Sequence, residues 1–155
     1  MMKQHSFLIC LLTLVLLQAC VDTRLSPEDE IRKYIESGVE AAEARSAGDL
    51  VDLIHSNYLD PKGYDRTQLK KLAQVYFFRH RNIHLFTKIN EIDFLAPNEV
   101  QVTLHVAMAG TVITGASMLS SLRARVYRFE LLLVKQDSWL LQQAKWQPAG
   151  HGDMK

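Results

Sequence analysis

The chain has 155 residues, a single-domain length, with 48% hydrophobic and 23% charged residues and a formal net charge of +1. This balance excludes a disordered polyelectrolyte, and it offers no concentrated basic face for nucleic acid. There are two cysteines, Cys10 and Cys20, so a multi-disulfide framework is excluded as well.

Met1 to His5 is a short, weakly positive start, and Phe7 to Leu17 is an apolar run broken only by Thr13. A spanning helix needs about 20 apolar residues, so this run fits the core of a signal peptide instead. It ends in Leu17-Gln18-Ala19-Cys20. That tetrad resembles the lipobox of bacterial lipoproteins: aliphatic, permissive, small, cysteine. The resemblance implies removal of residues 1–19 and palmitate-type acylation of Cys20. It also implies attachment to a bacterial membrane on the periplasmic side. Val21, where an Asp would favour inner-membrane retention, points to the outer membrane. Cys10 leaves with the signal peptide, so no intramolecular disulfide is expected. Residues 20–25 form the lipidated cysteine and a tether that reaches at most about 18 Å.

Residues 26–149 are expected to be one domain. Ser26-Pro27-Glu28-Asp29 opens a helix: Ser26 caps, Pro27 suits the first turn, and the acids complement the positive helix end. Ile31, Tyr34, Ile35, Gly38, Val39 and Ala42 continue it at helical spacing, with Gly48 as its stop. Asp49 caps a short second helix carrying Leu50, Leu53 and Ile54. Asp60-Pro61-Lys62-Gly63 reads as a turn. A third helix starts at Asp65 or Thr67, with Leu69, Leu72, Ala73, Tyr76 and Phe77 as its stripe, and ends near Arg81-Asn82.

The period then changes to two. Ile83, Leu85, Thr87 and Ile89 share one strand face, whereas Ile92 and Phe94 have the opposite parity, which predicts a bulge near Asn90-Glu91. Pro97-Asn98 is a turn. Val100, Val102, Leu104, Val106 and Met108 alternate with polar residues. Ala109 to Ser121 is a longer connection of small and apolar residues. Its expected form is an extension of both strands to a turn at Gly115; the competing form is a mobile flap exposing Met118 and Leu119. Tyr127, Phe129, Leu131 and Leu133 mark the next strand, and Trp139 to Trp146 the last, with Trp146 in a structural role. Residues 150–155 are expected to be a frayed C-terminal tail.

Three helices followed by four strands in sequence give an α+β domain, with the helices packed on a curved antiparallel sheet. This layout resembles the nuclear transport factor 2-like, or cystatin-like, superfamily of cone-shaped domains. The likeness is carried by Glu40 to Leu50, by Asp65-Arg66 with Tyr76 to Arg81, and by Ser138 to Leu141 with Ala144 to Pro148. It implies a conical cavity between sheet and helices and homodimerisation through the sheet.

Enzymes that share this cone, such as ketosteroid isomerase and scytalone dehydratase, use an acid–base residue and a hydrogen-bond donor inside it. Candidates here are Tyr34, Tyr58, Asp60, Tyr64, Tyr76, His80 and His105, but none lies in a motif matching those enzymes. Tyr34, Tyr58, Tyr76 and His80 are the expected cavity-lining residues. His105 alternates with apolar neighbours and should face away from them, towards solvent or an interface; with the sheet face read the other way it would point into the cavity. His80 and His84 are spaced for a helical metal pair, but Asn82 ends the helix between them and no third ligand is evident. No metal, cofactor or catalytic residue is therefore expected. The expected function is a membrane-anchored, non-enzymatic binding or accessory module for a small apolar ligand or a protein partner. The alternative is an isomerase or dehydratase that uses the cavity.

Overall fold

The computed structural model describes residues 25–119, 121–122 and 124–154. The signal-peptide and Cys20 expectations lie outside the described residues. Among the described residues no helix is long and apolar enough to cross a membrane.

Three helices precede four strands: α1 (Pro27–Glu43), α2 (Ala47–Asp52), α3 (Arg66–Arg79), β1 (His84–Ala96), β2 (Glu99–Ala109), β3 (Arg125–Lys135) and β4 (Trp139–Ala149). The strands form one antiparallel sheet in the order β1-β2-β3-β4. The α+β reading holds, with helices on one face of an open sheet.

Local chemistry accounts for the helix starts. The Ser26 side chain accepts from the Asp29 N–H, and Pro27 occupies the first turn. Asp65 and Gln68 form a reciprocal capping box at the head of α3. Between α1 and α2 the sequence reading needs correction. Gly48 does not stop α1 and Asp49 does not cap α2. Arg45 takes the left-handed turn, at φ 56°. Ser46 then caps α2 by accepting from the Asp49 N–H at 3.2 Å. The left-handed Arg45 lets the N–H groups of Arg45 and Ser46 close the end of α1 on the Ala42 and Ala41 carbonyls, which leaves Ser46 placed to cap α2.

The bulge in β1 lies where the parity change places it: the register with β2 shifts between Ile89 and Glu91. Leu85, Thr87, Ile89, Ile92 and Phe94 consequently share the inner face although their numbering changes phase. The main core packs this face against the helices, with Ile31 and Ile35 of α1 and Val51 and Ile54 meeting Val100, Val102, Leu131 and Leu133. Burying each such aliphatic side chain contributes about 1.5–3 kcal/mol. Glu30 ties α1 to the β3–β4 hairpin by accepting from Lys135 Nζ and from Trp139 Nε1. Arg66 ties α3 to α2, donating to the carbonyls of Val51 and Ile54 at 3.0–3.2 Å.

A second, smaller core lies on the outer face and overturns two expectations. The strands do not extend through the connection between β2 and β3; they stop at Ala109 and resume at Arg125, and a 3-10 turn at Ala116–Met118 lies between. Leu119 is fully buried, not exposed as on a flap. Residues 150–154 do not fray either: His151–Met154 forms a 3-10 turn, and Met154 is 3% exposed. Ile113, Leu119 and Met154 close over Ala107, Ala124 and Val126. These apolar side chains had a sheet surface to cover, and covering it outweighs the disorder gained by fraying.

Candidate functional site

The helices meet the sheet closely at its β1–β2 hairpin end, where Val100, Val102 and Leu133 are fully buried. Towards the other end a cavity of about 700 Å³ opens between the helices and the inner face. Its size is that of small-molecule pockets, about 300–1,000 Å³. Its walls are mainly aliphatic and aromatic. Val39 and Ala42 come from α1, Leu50 from α2, Leu69, Ala73 and Phe77 from α3, and Leu104, Val106, Met108, Tyr127 and Phe129 from the sheet.

Tyrosines supply most of the polar groups inside. Tyr34 donates its hydroxyl to the Leu53 carbonyl at 2.9 Å. Burial pushes its pKa well above the ordinary tyrosine value, so the ring stays a neutral donor. Tyr58 is 2% exposed and its hydroxyl has no hydrogen-bond partner among the described residues. Burial, and then the neighbouring Asp60 carboxylate, push its pKa up strongly too.

A tight loop positions this corner. Asp60 Oδ1 accepts from the N–H groups of Lys62 and Tyr64 at 2.8 and 2.9 Å. Gly63 supplies the left-handed turn, at φ 83°. The loop thereby presents Tyr58, Lys62 and Tyr64 to the cavity. Asp60 itself is 4% exposed, is not part of the lining, and leaves Oδ2 without a partner.

Of the four expected lining residues, Tyr34, Tyr58 and Tyr76 face the cavity and His80 does not. His80 is the C-cap of α3 in extended conformation. Its ring folds back onto Tyr76, with centroids 4.1 Å apart, and Nδ1–H donates to the Tyr76 carbonyl at 2.9 Å. The cap geometry turned it out of the cone. Tyr76 reaches Met108 Sδ at 3.8 Å, which joins α3 to β2 at the wide end. His105 lies on the outer face as its parity requires, and is buried there against Asn90 Oδ1 at 2.7 Å.

The sequence reading missed the charged members of the lining: Lys62, Lys70 and Arg125. They come from a loop, a helix and a strand end, so no periodicity unites them. Trp146 also lines the cavity, half-buried, with Lys62 Nζ 4.2 Å from the centre of its ring.

No family model matches the chain. No curated protein sequence matches it either. Solved structures do. A cystatin-like domain of unknown function from Nostoc punctiforme PCC 73102 superposes with a TM-score of 0.62 at 14% identity, over 83% of this chain and 80% of that one. An NTF-2 like protein of unknown function from Shewanella oneidensis MR-1 gives 0.57 at 16%, over 78% and 98%. A ketosteroid isomerase-like protein from Erwinia carotovora atroseptica SCRI1043 gives 0.58 at 12%, over 81% and 99%. The fold is thus that of the nuclear transport factor 2-like cone. At such identities the likeness concerns the fold alone.

Proposed function

We propose that this chain is a membrane-anchored periplasmic lipoprotein whose domain is a non-enzymatic receptacle for a small, largely apolar molecule. The anchor rests on the Leu17-to-Cys20 tetrad, and Val21 favours the outer membrane. The receptacle rests on one observation: a cavity of about 700 Å³ whose described lining contains no aspartate, glutamate or histidine. Acid–base catalysis needs a group that exchanges protons near the working pH. Burial pushes Tyr34 and Tyr58 of the lining away from that range.

The test is native mass spectrometry of the full-length protein extracted from its own membranes. An acylated Cys20 and a retained small molecule are the expected results. An unmodified Cys20 ends the anchor reading. An empty cavity that also fails to take up the neutral dye Nile red ends the receptacle reading.

The isomerase or dehydratase alternative keeps one specific support: the Tyr58 hydroxyl and Asp60 Oδ2 are both buried, unpartnered and neighbouring. In that reading Asp60→Asn abolishes turnover while leaving uptake intact. A homodimer through the sheet is part of the same proposal. It would have to use the outer face beside the Leu119 and Met154 cover. Sedimentation at increasing concentration tests it.

A further inference from the structure

The cavity is apolar, but its charged rim is one-sided. Three charged residues line it, Lys62, Lys70 and Arg125, and all three are cations. Composition does not explain this, because the chain carries 18 basic and 17 acidic residues. All three are exposed, so their charges sit where the lining meets solvent and not deep in the walls. The ion pairs among the described residues are Arg66–Asp52, Arg128–Glu130 and Lys135–Glu30, so none of the mouth cations is neutralised by one. Lys62 is also held in place. Its ammonium lies 4.2 Å from the centre of the Trp146 ring, and that ring belongs to the cavity wall. A cation–π contact of this kind keeps the charge at the rim instead of in bulk water.

We infer that the cavity takes an amphipathic anion, with its apolar body between α3 and the sheet and its anionic head at Lys62, Lys70 and Arg125. The inference rests on the receptacle reading and adds the head-group chemistry. An apolar body gains by leaving water for the aliphatic walls. A negative head meets three cations at the mouth and no carboxylate of the lining. A cationic head would be repelled by these three. Tyr64 and Tyr127, also in the lining, add polarity beside these cations.

The experiment uses the full-length protein loaded with Nile red and three competitors of equal chain length, each below its micelle threshold. These are dodecanoate, dodecanol and dodecyltrimethylammonium. Dodecanoate should displace the dye at roughly tenfold lower concentration than dodecanol, a gain of the size that a few exposed ion pairs supply. Dodecyltrimethylammonium should be the weakest of the three. Added salt should narrow the gap, since exposed charges are screened. The double variant Lys62→Gln, Arg125→Gln should reduce the dodecanoate preference to about threefold or less by the same reasoning. Lys71→Gln, which removes a cation of α3 outside the lining, should leave the preference intact. Equal affinity for dodecanoate and dodecanol overturns the inference and leaves the receptacle standing. So does a preference for the ammonium, or a preference that survives the double variant in a folded protein. Failure of all three competitors and of the dye overturns the receptacle itself.

Discussion

The two faces of the sheet solve the same problem in opposite ways. One patch of the outer face is closed: side chains from the β2–β3 connection and the C-terminal 3-10 turn fill the space over Ala107 and Val126. The inner face carries the larger apolar cluster and longer side chains, and is filled closely only at its narrow end. Packing to interior density was therefore available to this chain, and one region does not use it. Unfilled apolar space forgoes contacts that would stabilise the fold, so the open end of the cone costs stability that the closed patch does not.

The largest test of that comparison is on the inner face itself. Trp139 is buried at the narrow end and donates to Glu30, whereas Trp146 is half-buried on the cavity wall. Trp139→Ala should cost roughly 3–5 kcal/mol in urea denaturation, as large-to-small changes in filled cores do. Trp146→Ala should cost clearly less and act mainly on ligand uptake. Equal losses would mean that the cone is filled at both ends in solution.

The outer face gives the next effect. Leu119→Ala should destabilise by roughly 2–5 kcal/mol. Met118, one residue earlier and only half-buried, should tolerate the same change with a much smaller loss. A neutral Leu119→Ala would reopen the flap reading of this segment.

A smaller effect is set by pH. The hydrogen bonds to Glu30 from Lys135, and then from Trp139, hold its carboxyl below the usual glutamate range. A depressed folded-state pKa contributes stability above the unfolded value, and that contribution is lost as pH falls through the folded one. Wild-type stability should therefore decline below about pH 4.5, the ordinary carboxyl value. Glu30→Gln should flatten that part of the curve. An unchanged acid limb in the variant would show that the bridge between α1 and the β3–β4 hairpin is not populated.

The smallest effect should be a gain. Gly38 sits inside α1 on the cavity wall, and a methyl group there would meet Leu53 Cδ1 at 3.9 Å, an ordinary contact. Gly38→Ala should stabilise by about 0.5–1 kcal/mol, the usual helix-interior difference. A loss measured by thermal melting would mean that the cavity wall is tighter than described.

Where backbone chemistry is local, the sequence was informative. Ser26 and Asp65 announce helix starts, and the parity change between Ile89 and Ile92 announces the bulge. Tyr34 and Tyr76 were legible as inward-facing because they sit on regular apolar stripes. His80 was misplaced because a helix end does not continue the stripe that precedes it. Leu119 and Met154 were misplaced because the surface they cover is assembled from β2, β3 and two flanking segments, and no single window of sequence contains it. The cationic mouth was illegible for the same reason: Lys62, Lys70 and Arg125 become neighbours of one cavity only through long-range folding. On α3 the stripe rightly left out Phe78, which is 90% exposed beside the buried Phe77, whereas its member Leu72 is 44% exposed.

The bulge at Asn90 bears on how this chain is compared with others. Before it, odd-numbered residues of β1 face inwards, and after it, even-numbered ones do. A strand that lacks the extra residue keeps one parity throughout. Laid against such a strand without a gap, half of β1 is matched core to surface. Substitution scores then penalise positions that are physically equivalent. A one-residue gap at Asn90 restores them. In this chain His105, which faces Lys88 in the ladder, holds the extra residue Asn90 through its side-chain carbonyl.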